Sequence, residues 1–209
     1  MPLSDDFFKS NQKLIQEYLT EFLVITDTKN IEIEARAGTI MDKISDSRLQ
    51  LDTPHPVILK SLPPQCHFIS GVSEATYERA KKRFEDVTGN TVSEKDVVRQ
   101  GRRDTYRDGN LVASIKKTRI NCVNIYMPGC SVDLRISISR EEPADKHTSK
   151  NVITTRNKLR TSYEVKDYRV DFTEVDCVGE KNKEIEIEVI NDKFKKEEFI
   201  NFVMNFFKI

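Results

Sequence analysis

Net charge is the first thing this sequence lacks: its 34 lysines and arginines balance 34 aspartates and glutamates. That excludes a uniformly basic nucleic-acid binder, so any positive surface must be local and offset by a negative one. No stretch approaches the ~20 apolar residues that a helix needs to cross a membrane. The opening MPLSDDFFKS has neither the basic start nor the apolar run of a signal peptide. Tryptophan is absent, and Cys66, Cys122, Cys130 and Cys177 form no C-x-x-C pair and have no histidine at zinc spacing. Reduced structural thiols are therefore expected rather than a metal site or a disulfide. With no internal repeat and no low-complexity segment, residues 1–209 are expected to form one soluble, intracellular domain.

What is present is a helix followed by many strands. Phe7, Phe8, Leu14, Ile15, Tyr18, Leu19, Phe22 and Leu23 recur at spacings of three and four, predicting a helix from about Ser4 to Leu23 with Ser4 or Asp5 as its cap. A short strand is expected at Asn30–Gly38, then an irregular stretch holding Pro54, Pro56, Pro63 and Pro64. A second helix is expected from Ser73 to about Asp86. Thr91–Ile190 reads as successive strands, broken by turn signals at Asp108-Gly109 and Pro128-Gly129, by a polar loop at Glu142–Asn157 and by Asp176–Asn182. A last helix starts near Asp192, with Phe194, Phe199, Phe202, Val203, Phe206 and Phe207 on its apolar side. Many strands with three helices give an α+β, mainly β fold: an antiparallel sheet or barrel with helices packed outside.

The strands have charged faces. Alternation sends successive side chains to opposite sides, so Ile31, Ile33, Ala35 and Ala37 oppose Glu32, Glu34 and Arg36. Likewise Ile185, Ile187 and Val189 oppose Glu184, Glu186 and Glu188. Leu134, Ile136 and Ile138 oppose Asp133, Arg135, Ser137, Ser139 and Glu141, and Val170 and Phe172 oppose Arg169, Asp171 and Thr173. Lys158, Arg160 and Ser162 share another face. Basic residues also crowd Arg99–Arg107 and Ser114–Arg119. Such faces can simply point at water. Two carboxylates at i and i+2 lie about 6.6 Å apart, repelling by roughly 0.6 kcal/mol in bulk water and about 2.5 kcal/mol at an effective dielectric near 20. An exposed face tolerates that; an enclosed one needs a cation between the acids. Here the signs are segregated by strand, which suits a hard cation held by the acids and a polyanion bound by both cation and basic residues.

The ordered motifs resemble a known family: the fungal and protozoal type of metal-dependent mRNA-capping RNA 5′-triphosphatase, within the triphosphate tunnel metalloenzymes. The resemblance is carried by Ile31–Gly38 (IEIEARAG), Asp133–Pro143 (DLRISISREEP), Arg156–Tyr163 (RNKLRTSY), Arg169–Val175 (RVDFTEV) and Glu184–Val189 (EIEIEV), in that order across about residues 30–190.

The resemblance implies an eight-stranded antiparallel barrel whose hollow interior, a tunnel, is the active site. It implies that Glu32, Glu34 and Glu188 hold Mg²⁺ or Mn²⁺, and that Arg102, Lys117, Lys158, Arg160 and Arg169 contact the phosphates or support residues that do. Glu141 matches the acid that positions the attacking water, its alternative being an ordinary acid at a strand end. Asp171 and Glu186 would orient the basic residues. Adjacent cations leave the register open between Arg102 and Arg103 and between Lys116 and Lys117, and Arg135 is expected to be a structural ion-pair partner. Arg36 stands where a lysine is commoner, and Ala37 where a bulkier apolar residue is. The substrate implied is 5′-triphosphate RNA, in the first step of mRNA capping in the nucleus. An mRNA guanylyltransferase is the implied partner, no membrane is involved, and a homodimer is allowed. Fungal members often carry a long N-terminal extension that docks the guanylyltransferase, whereas this sequence opens on its first helix. Two alternatives stay open: a tunnel hydrolase of inorganic triphosphate, polyphosphate or thiamine triphosphate, and a non-catalytic barrel binding polyphosphate or RNA ends.

Overall fold

In the computed structural model, residues 5–26, 29–144 and 151–208 are described, with side chains from residue 13 onward. The Ser4 cap, the side chains of Phe7 and Phe8, and the middle of the Glu142–Asn157 loop lie outside them. The first helix, α1 (Asp5–Phe22), is followed by β1 (Ile31–Asp42), β2 (Ser47–Arg48), β3 (Val57–Leu59) and β4 (Cys66–Ser70). Helix α2 (Glu74–Lys81) runs into a 3-10 turn at Lys82–Phe84. Then come β5 (Asn90–Arg99), β6 (Arg102–Arg107), β7 (Asn110–Tyr126), β8 (Asp133–Pro143), β9 (Val152–Val165), β10 (Tyr168–Cys177) and β11 (Glu180–Val189), and α3 (Lys196–Phe206) ends the chain.

Among the described residues the strand order is β11-β10-β9-β5-β6-β7-β8-β1, and β1 pairs with β11 as well as with β8. Eight strands therefore close into an antiparallel barrel, and closure leaves no unpaired edge in the ring. Turn chemistry sets the hairpins. Asp108 and Gly109 both adopt positive φ between β6 and β7, as a two-residue hairpin loop that follows the strand twist requires.

The apolar core lies outside the barrel wall, beneath the helices. Ile33, Ala35, Leu134, Ile136, Val170, Phe172, Ile185 and Ile187 are buried there with Leu19, Leu23, Phe199, Val203 and Phe207. Tyr77 of α2 meets the Phe172 ring edge-on at 5.4 Å, and Ser73 caps the helix by accepting from the Thr76 backbone N–H. Because the apolar halves of the strands face this core, their charged halves are turned into the barrel.

Several elements differ from expectation: the stretch expected to be irregular holds β2, β3 and β4, and β9 already begins at Val152 within the expected polar loop. The first strand continues past Gly38 to Asp42, because β4 pairs with its second half from Gly38 to Asp42. A Cβ on Gly38 would lie 2.3 Å from the Ile69 carbonyl oxygen and 2.5 Å from the Phe68 ring, so this crossing accepts only glycine. The last helix starts at Lys196 rather than near Asp192. Phe194 precedes it in a turn and packs on the core from there.

Candidate active site

Register brings both ends of the chain to one place on the barrel wall. Glu34 is the direct cross-strand partner of Glu188, and Arg36 of Glu186. On the other side of β1, Glu32 faces Ser139 and Glu34 faces Ser137. All of these side chains share the inner face.

The acids there are gripped by cations. The Lys117 ammonium makes ion pairs with Glu32, with Glu34 at 3.3 Å and, at 3.8 Å, with Glu141. Arg36 bridges Glu34 at 2.9 Å and Glu186 at 3.2 Å. Arg169 holds Asp171 at 3.1 Å and also pairs with Glu188. Arg160 reaches Glu94 at 3.4 Å and Asp171 at 3.7 Å, and Lys158 reaches Asp96 at 2.7 Å. These contacts pass from strand to strand around the inner wall. Removing one member would leave an uncompensated buried charge, at a cost of about 3–5 kcal/mol.

Burial shifts the acids in different directions. It raises the Glu32 carboxyl, with Glu34 adding to the rise, and it pushes Glu188 up to about 7 against the pull of Arg169. Burial also works to raise Glu186, but Arg36 and Arg160 outweigh it and hold that carboxyl low. Two carboxyls that resist ionisation therefore stand beside one that does not.

Most of the expected residues meet in this interior: Glu32, Glu34, Glu188, Lys117, Lys158, Arg160, Arg169, Asp171, Glu186 and Glu141. Asp171 and Glu186 do hold cations, Asp171 holding Arg169 and Arg160 and Glu186 holding Arg36. Lys117 faces inward, and Lys116 is exposed on the other side of β7. Arg102 does not join them. It turns away from the interior and pairs with Asp104 at 2.8 Å, beside Arg99. Arg103 takes the inner place and reaches Glu141 at 3.3 Å. Arg135 is not the ion-pair partner expected. Among the described residues it has no carboxylate within ion-pair distance; its Nε donates to Asn124 Oδ1 at 2.9 Å and its guanidinium lies 4.4 Å from the centre of the Phe68 ring.

Other interior groups were missed. Glu94 and Asp96 are 7% and 1% exposed and hold Lys158, while Thr105 donates to Asp96 at 2.7 Å. Arg107 pairs with Glu94, and Arg156 with Glu184. Alternation along β5 was the available signal, but Ser93 and Lys95 make its outer face as polar as its inner one.

As they stand, among the described residues no three acids are gathered closely enough to hold a metal ion. The chemistry of the set still fits a hard divalent cation. Glu32, Glu34 and Glu188 supply only carboxylate oxygen, two of them share one ammonium already, and Glu34 and Glu188 are cross-strand neighbours.

The model of one protein family, described as "mRNA capping enzyme, beta chain", matches residues 2–108 and 88–199. The mRNA-capping enzyme subunit beta of Yarrowia lipolytica is 31% identical over 185 residues, covering 79% of this chain and 47% of that protein. Its counterpart in Schizosaccharomyces pombe is 25% identical over 205 residues, covering 85% and 67%. In Cryptococcus neoformans the counterpart is 26% identical over 195 residues, covering 78% and 49%. The chain thus spans about half the length of two of these relatives. The solved structure of S. pombe Pct1 RNA triphosphatase, in complex with the Spt5 CTD, superposes with a TM-score of 0.73 at 21% identity, covering 98% of this chain and 85% of that one. That likeness is one of fold.

Proposed function

The chain belongs to the family of mRNA capping enzyme beta chains, and we propose that it hydrolyses the terminal phosphate of 5′-triphosphate RNA, the first step of mRNA capping, with Mg²⁺ or Mn²⁺. The carrying observation is the register that sets Glu34 against Glu188 inside a closed barrel whose other strands present lysine and arginine. The reading extends to the nucleus as the place of action and an mRNA guanylyltransferase as partner, as the relatives' name for a beta subunit suggests.

Phosphoryl transfer spreads negative charge over the departing group, so catalysis is mostly positioning and electrostatic stabilisation. Glu32, Glu34 and Glu188 would hold the divalent cation, which when bound supplies Lewis-acid charge to the phosphate oxygens. Lys117, Lys158, Arg160, Arg169 and Arg103 stabilise the remaining charge. Their ion pairs fix them before substrate arrives, so little reorganisation is left for the chemical step. Glu141 is placed by Arg103 and Lys117 to accept a hydrogen bond from the attacking water and orient it in line. Asp171 and Glu186 keep Arg169, Arg160 and Arg36 aimed inward.

The test is phosphate release from γ-labelled triphosphate-ended RNA, with divalent cation and after chelation. Release that needs the cation and leaves a diphosphate end supports the proposal. Absence of release under both conditions refutes it.

A further inference from the structure

The cations of the inner wall fall into two groups. Those around Glu32, Glu34, Glu94 and Asp171 are each matched by an acid. Arg119 and Arg135 are not: among the described residues neither has a carboxylate within ion-pair distance. Both belong to the inner face of neighbouring strands, since Arg119 pairs across with Ser139 and Asn124 with Arg135. The Arg135 guanidinium is half-buried, braced by Asn124 and by the Phe68 ring, so its charge is partly desolvated without a carboxylate partner among the described residues. That arrangement is costly unless an anion completes it.

The residues between them supply a second, independent sign of an absent ligand. Ser137 and Ser139, which lie beside Glu34 and Glu32 of β1, are 0% and 1% exposed and point the same way as Arg135, and among the described residues their hydroxyls have no hydrogen-bond partner. Buried hydroxyls are normally satisfied, so orphans call for an explanation. The inner face of β8 therefore carries, in order, a guanidinium and two hydroxyls with unused donors, and Arg119 continues this strip from β7 to solvent.

We propose that this strip is a phosphate-binding track for the RNA chain behind its terminal triphosphate, with Arg119 and Arg135 contacting backbone phosphates. The proposal rests on the RNA reading of the proposed function. A small triphosphate would be held by Lys158, Arg160 and Arg169 on β9 and β10, across the barrel from β8. A nucleic acid must also lead its chain out of the tunnel, and a strip of unpaired donors open to solvent at Arg119 suits that exit. It would favour RNA ends over inorganic triphosphate.

The experiment measures binding of fluorescently labelled triphosphate-ended RNA in the absence of divalent cation, so that nothing is consumed, with inorganic tripolyphosphate as competitor. It compares wild type, Arg119→Ala and Arg135→Gln. Each substitution should raise the dissociation constant for RNA, relative to that for tripolyphosphate, by roughly tenfold, the size of one charge-assisted hydrogen bond. The salt dependence of RNA binding should also flatten by about 0.7 in log–log slope per lost contact. Arg119 is exposed, so its variant decides the matter even if Arg135→Gln does not fold. Equal weakening toward both ligands, or no change in Arg119→Ala, overturns the proposal. Phosphate release by the wild type is assayed in parallel: its absence would sink the hydrolase reading while leaving the binding comparison decisive for the track.

Discussion

Glu34 and Glu188, drawn from the first and last strands of the barrel, stand directly opposite one another on its inner wall. Sequence separation this large is bridged only because β1 pairs with β11 and closes the ring. Everything proposed for the site follows from that closure, which turns two acidic strands into neighbours and encloses their charge.

Manganese should stabilise the protein through these acids. At a hundredfold excess over its dissociation constant, a ligand of the folded state adds about 2.7 kcal/mol, or roughly 5–10 °C in melting temperature for a chain of this size. Glu188→Ala and Glu32→Ala should abolish most of that shift, as read by differential scanning fluorimetry with and without Mn²⁺. An undiminished shift in both variants would move the metal elsewhere.

Arg103 and Arg102 should behave differently despite being neighbours. Arg103 faces Glu141 within the tunnel, whereas Arg102 faces Asp104 on the other side of β6. Arg103→Ala should lower kcat/KM by about a hundredfold or more, as expected for a preorganised donor. Arg102→Ala should leave it within about threefold and lower the unfolding midpoint instead. Steady-state kinetics beside urea unfolding separates the two.

Gly38→Ala should be destabilising out of proportion to one methyl group. The added carbon would meet a backbone carbonyl oxygen at 2.3 Å, and backbone cannot yield as a side-chain end can. Overpacking of this kind costs about 1–3 kcal/mol or more, visible as a lower urea midpoint with an unchanged m-value.

Acid should unfold the protein partly through Asp96 and Asp104. Burial alone would raise both carboxyls, but Lys158 and Thr105 around Asp96, and Ser114, Arg102 and Arg99 around Asp104, outweigh it and hold both below the ordinary 3.8. A carboxyl lowered by folding contributes stability that is present above its unfolded value and lost as pH falls through its folded one. Stability should therefore drop as pH is taken below about 3.8, and Asp104→Asn should flatten that limb in thermal melts across pH 2–6.

Much of this site can be read from period-two alternation, because a side chain's face depends only on its own strand. Glu32, Glu34, Glu186 and Glu188 are legible for that reason, as is the barrel's charged interior once the ordered motifs are recognised. Arg102 against Arg103 is not legible. Both are basic and adjacent, and the choice is made by pairing with β5 and β7, where Arg103 lies opposite Val98 on one side and Ile115 on the other. Glu94 and Asp96 are hidden by the equally polar outer face of β5. The strands of two to five residues between Ser47 and Ser70 escape notice because prolines and their brevity remove any period to read. Gly38 is visible in the motif, but its need for β4 lying across it is a tertiary fact.

The most direct test is to grow crystals in Mn²⁺ and locate the ion by its anomalous scattering. The account predicts one strong peak inside the barrel, within coordination distance of the Glu32, Glu34 and Glu188 carboxylates, lost in crystals of Glu188→Ala. A manganese ion bound outside the tunnel, or one retained at full occupancy without Glu188, would contradict it.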